Sequence, residues 1–116
     1  MKRDMDLIRE MLLWMEEHND RLILLNEFQV FRDDREKTLG HLRMLKSAGF
    51  VEELSKNQLG ISWAGYEFLD KVRDDKIWRK TKEGASKVGS WSVKLLSEMA
   101  SGLIRAKAEE LGIPLA

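Results

Sequence analysis

Lys37, Gly40, Arg43, Met44 and Ser47 recur at intervals of three and four residues, a spacing that places them together on one face of a helix. That combination suits nucleic acid. A guanidinium or ammonium meets guanine edges or phosphate, a hydroxyl serves either, and a glycine lets the helix backbone approach closely. The short polar run Lys56, Asn57 and Gln58 suits backbone or minor-groove contact from a turn, and the basic run Arg79, Lys80 and Lys82 suits phosphate. These residues make up the candidate DNA-contacting set.

Other chemistries find no anchor in the residue types. Cysteine is absent, which removes disulfides, thiolate ligands and thiol nucleophiles. His18 and His41 have no His or Cys partner at metal-ligand spacing, and the pairs Asp33–Asp34 and Asp74–Asp75 diverge by about 100° on a helix. Neither a glycine-rich phosphate loop nor a serine nucleophile elbow occurs, so no enzyme activity, cofactor or metal is expected. The 20 basic residues balance the 20 acidic ones, which counts against a dedicated DNA binder. Locally the balance shifts, because Lys76, Arg79, Lys80, Lys82 and Lys87 meet only Glu83 across that stretch. No leader core or membrane-length apolar run is found, so a cytoplasmic protein without a membrane partner is expected.

The elements that must position these residues follow from periodicity. Met5, Ile8, Met11, Leu12 and Met15 mark a first helix over 4–18, with Leu7 and Trp14 widening its apolar face and Asp4 as cap. His18, Asn19 and Asp20 break that pattern. The apolar stretch 22–31 has no clean period and fits a short strand or an irregular helix. Asp33 and Asp34 offer caps to a helix over about 34–48, with Leu39, Leu42 and Leu45 facing the core and Ala48-Gly49 as its stop. Phe50–Leu54 and Leu59–Trp63 read as two strands joined by a turn at 55–58, with Ile61 and Trp63 covering the Leu42 and Leu45 stripe. A helix carrying Phe68, Leu69 and Val72, a joint at 73–76, and a helix through Ile77, Trp78 and Thr81 follow. A last helix starts at Ser90 or Ser92 and ends at Gly112 and Pro114. All four tryptophans (14, 63, 78 and 91) are expected to pack.

This order predicts a mainly α protein with a small β-hairpin, a winged helix-turn-helix with additional C-terminal helices. It is read as one domain over 1–116, with a core at about 4–75 and a helical extension at about 76–112. The segments HLRMLKSAGFVEE and ISWAGYEFLD resemble regulators of the PadR and MarR type over about residues 34–72. A wider resemblance joins residues 2–9, the His41–Gly49 block, Ile61–Gly65, Phe68–Asp70, Arg73–Asp75 and Trp78 to the domain of unknown function 2513 family. That resemblance implies a protein of bacteria and their phages or prophages. Tyr66 stands where the family pattern has His, and Ser62 where it has Thr; either hydroxyl can cap the helix that follows.

The functional expectation is a non-enzymatic winged-helix regulator or phage-type accessory protein whose partner is double-stranded DNA. The alternative is a protein-interaction module acting on a host protein. A homodimer is expected through the C-terminal helix, where Val93, Leu96, Ala100, Leu103 and Ile104 form a stripe that Leu95 and Met99 widen. In the opposing reading, that helix covers Trp14 within one subunit.

Overall fold

Asp4 starts the first helix, as its position before an apolar period predicts. In the computed structural model, which describes residues 1–18 and 23–115, helix α1 runs Met5–Glu17 and the Asp4 carboxylate accepts the Leu7 N–H at 3.1 Å. Met5, Leu7, Ile8, Met11, Leu12 and Met15 form its buried side. The chain then makes a two-residue strand β1 (Ile23–Leu24) and one 3-10 turn (Leu25–Glu27). The aperiodic stretch therefore begins as a short strand and continues as a single tight turn. The expected break at Asn19 and Asp20 lies outside the described residues.

Helix α2 spans Arg35–Ser47 and is capped by Asp34, whose Oδ1 accepts the Lys37 N–H at 2.9 Å. Strands β2 (Val51–Ser55) and β3 (Gln58–Ile61) follow directly, and the antiparallel sheet has the order β1-β3-β2. The hairpin is tighter than the four-residue turn predicted, since Ser55 pairs with Gln58 around Lys56 and Asn57. Asn57 takes a left-handed φ of 63°, which asparagine tolerates better than most residues. Between the Glu53 and Ser55 pairings the register shifts, leaving Leu54 as the extra residue of a bulge, 53% exposed.

Helix α3 (Trp63–Val72) begins one residue earlier than its periodicity suggests, and this overturns the expected position of Trp63. The strand ends at Ile61. Ser62 donates its hydroxyl to the Gly49 carbonyl and accepts the Gly65 N–H at 3.1 Å, so it caps α3, and Trp63 becomes the first helical residue. Trp63 no longer shares a strand face with Ile61 and is 81% exposed. Trp91 is also exposed, whereas Trp78 is buried and Trp14 half-buried. Phe50 and Phe68 are buried instead, stacked with ring centroids 5.1 Å apart. Gly65 is needed for that approach, because a Cβ there would overlap the Phe50 carbonyl.

The contacts fall into two units, residues 1–69 and 70–116. In the second, α4 (Asp75–Val88) is capped by Asp74, whose Oδ1 accepts the Lys76 and Ile77 N–H groups at 2.9 Å each. The Ile77 N–H, and Lys107 3.6 Å away, hold the Asp74 carboxyl below its ordinary range. Helix α5 (Val93–Glu110), capped by Ser92, packs on α4, with Leu96 and Ala100 buried on it and Met99 against Gly84. Among the described residues, no helix is long and apolar enough to cross a membrane.

Candidate nucleic-acid interface

What α2 presents to solvent is decided by how its first turns are held. Arg32 and Asp33, just ahead of it, both adopt left-handed backbone with φ of 56°, which aspartate tolerates and arginine does not favour. Side chains hold Arg32 there. Its guanidinium donates to both Glu10 oxygens, at 3.2 and 2.9 Å, and lies 3.6 Å from Asp4. Phe31 is buried beneath the turn, its ring 6.0 Å from Trp14, which also packs on Phe28 at 4.7 Å. Thr38 joins loop to helix, accepting the Phe31 N–H at 2.9 Å and donating to the Asp34 carbonyl at 2.8 Å.

A second clamp runs from α1. His41 is fully buried, and its Nε2 accepts the Asp4 N–H at 2.9 Å. The proton therefore sits on Nδ1, which donates to the Lys37 carbonyl at 2.9 Å. Lys37 itself reaches Asp4 at 3.2 Å. Partial burial pushes the Asp4 carboxyl up, but the Leu7 N–H, Lys37 and Arg32 outweigh it and hold it below its ordinary range.

These clamps rotate α2 away from the orientation its leucines suggest. His41 and Thr38 join Leu42 and Leu45 on the buried side, while Leu39 is 38% exposed. The exposed arc holds Arg35, Glu36, Leu39, Arg43, Lys46 and Ser47, turned by roughly 80° from the face predicted. Of the expected residues, Arg43 and Ser47 lie on this arc and Met44 at its half-buried edge. Lys37 is engaged with Asp4, and the Met1 side chain lies over Gly40. Arg35 and Lys46 were missed because the helix face was oriented by leucines alone. A buried histidine one residue before a leucine was the available clue.

Lys56 and Asn57 are exposed at the hairpin turn, and Gln58 is half-buried, accepting the Ser55 hydroxyl. The turn and α2 border one groove of about 680 Å³, lined by Asn26, Gln29, Arg35, Leu39, Lys56 and Asn57 among others. Its walls thus combine two cations and three amides with two exposed aliphatic side chains, Val30 and Leu39, and Phe28. On α4, Arg79 and Lys80 are exposed, but Lys82 lies over the Trp78 ring, 5.9 Å from its centroid, on a different side of the helix. Among the described residues, no three His, Asp or Glu side chains are grouped so as to hold a metal ion.

Comparison with known proteins agrees with the wider of the two resemblances. The family described as Hypothetical protein (DUF2513) matches residues 2–92. An uncharacterized protein of Haemophilus influenzae is 35% identical over 92 residues, spanning 71% of this chain and 76% of that protein. No solved structure matches. The matched span runs from the N-terminal cap through the hairpin to the end of α4, and the chain belongs to the DUF2513 family.

Proposed function

We propose that residues 1–69 form a winged helix-turn-helix that binds double-stranded DNA, with α2 in the major groove and the Lys56–Asn57 turn as its wing. The groove between α2 and that turn carries the reading, since it brings Arg35 and Lys56 to one concave surface with Asn26, Gln29 and Asn57. Element order supports it: helix, short strand, turn, helix and hairpin, with β1 paired to β3. The 3-10 turn stands where a winged helix has its second helix, and the Trp14–Phe28–Phe31 cluster and the Arg32 clamp do that helix's positioning work. Arg35 and Arg43 are suited to guanine edges and Leu39 to a thymine methyl. The role that fits is a non-enzymatic regulator or accessory protein, in the phage-type setting the family resemblance implies.

The test is selection of duplexes from a randomised pool, followed by affinity measurement with Arg35→Ala and Arg43→Ala. Each substitution should weaken the selected site by about 1–3 kcal/mol and relax preference at a few adjacent positions. Recovery of no preferred sequence, with both variants binding as the parent does, would overturn the reading. Trp63, exposed at the start of α3 away from the hairpin turn, favours a second reading in which this unit docks on a host protein. That reading gains if Trp63→Ala abolishes a protein complex that Arg43→Ala leaves intact.

A further inference from the structure

Residues 1–69 hold ten Lys and Arg against thirteen Asp and Glu, whereas residues 70–116 hold ten against seven. The unit read above as contacting bases is therefore acidic and would be repelled by phosphate, while the other unit carries the positive charge. Most of that charge lies on one side of α4. Lys76, Arg79, Lys80 and Lys87 fall at helical spacing on a single exposed face about 16 Å long, with Glu83 in its middle. Among the described residues, none of these five side chains has an ion-pair partner within 4 Å.

Lys87, in the last turn and four residues after Glu83, suits the helix, but the cations at its start do not. Lys76 lies in the first turn, where a cation opposes the helix dipole, and its neighbours at three and four residues, Arg79 and Lys80, repel it. The opposite side of α4 is filled by Ile77, Trp78, Thr81 and Ala85, so no apolar face is left for a lipid surface. A row of unpaired cations on a rigid helix with its apolar side already covered matches a polyanion of regular charge spacing.

We propose that this face of α4 is a contact for the DNA phosphate backbone, supplying the sequence-independent attraction that the acidic unit lacks; it rests on the reading that this chain binds DNA. The test measures full-length protein on a fluorescent mixed-sequence duplex across about 50–200 mM salt, where each neutralised phosphate adds about 0.9 to the log–log slope. Replacing Lys76, Arg79, Lys80 and Lys87 together by Gln should lower that slope by up to about 3.6 and weaken binding at least about tenfold at low salt, with helix content unchanged. Glu83→Gln should tighten binding. An unchanged slope in the quadruple variant, with Arg35→Ala/Arg43→Ala losing affinity, overturns the α4 contact and leaves the α2 reading standing. Loss in the quadruple variant on this duplex supports α4, and α2 is judged on the selected duplex, where Arg35→Ala and Arg43→Ala must weaken binding. Failure of the parent protein to retain duplex at about 50 mM salt overturns both.

Discussion

Single residues in this chain take roles that their types alone do not announce. Trp63, of a residue type that usually packs, is largely solvated, so Trp63→Ala should change unfolding free energy by under about 1 kcal/mol in denaturant titration. Gly65, two positions on, sits against the Phe50 carbonyl, and Gly65→Ala should cost about 1–3 kcal/mol in the same titration because α3 must move. Asp4 caps α1, pairs with Lys37 and meets His41 through its own N–H. Its carboxyl is held below the unfolded value of about 3.9, so its stabilisation is complete above that value and lost as pH falls through the folded one. Asp4→Asn should therefore be less stable than the parent at neutral pH, and the two stability curves should converge in acid.

At the scale of elements, α2 shows how tertiary clamps override a helix's own stripe. Leu39, Leu42 and Leu45 point to one orientation, yet Thr38 and His41 carry the hydrogen bonds that tie the helix to the preceding loop and to α1. A buried polar group without its partner costs about 1–3 kcal/mol, so satisfying two of them outweighs full burial of one leucine edge. Arg35, Leu39, Arg43 and Lys46 face outward as a result. His41→Ala should destabilise the protein by about 2–4 kcal/mol, leaving both a cavity and an orphaned Asp4 N–H. Thermal denaturation would check this, and a loss under about 1 kcal/mol would show that the histidine does not hold the helix.

At the scale of the molecule, charge and apolar surface are unevenly shared. Acidic excess lies in residues 1–69, and basic excess in 70–116, where α4 displays it. Beyond the buried Leu96 and Ala100, α5 leaves Ile104 exposed, and Leu111, Ile113 and Leu115 after it are exposed as well. We propose that this end of the chain pairs with a second copy. Sedimentation at micromolar concentration should then give a dimer, and Ile104→Glu should give a folded monomer whose melting temperature no longer depends on protein concentration. A parent protein that sediments as a monomer would remove the dimer.

Local rules were enough for much of the fold. Asp4, Asp34 and Ser92 cap helices where short polar side chains precede an apolar period, and the break at 73–74 separates α3 from α4 inside the expected joint. The hairpin of residues 51–61 was legible because a polar run between two apolar ones has few other solutions. Family membership was legible too, since it rests on residues rather than on geometry. Rotation of α2, exposure of Trp63 and convergence of Arg35 with Lys56 on one groove were not legible. Each depends on contacts between residues far apart in the chain, such as Asp4 with His41 or Arg32 with Glu10. Periodicity reports which residues share a helix face; only packing and hydrogen-bond satisfaction across the tertiary structure decide which face is turned to water.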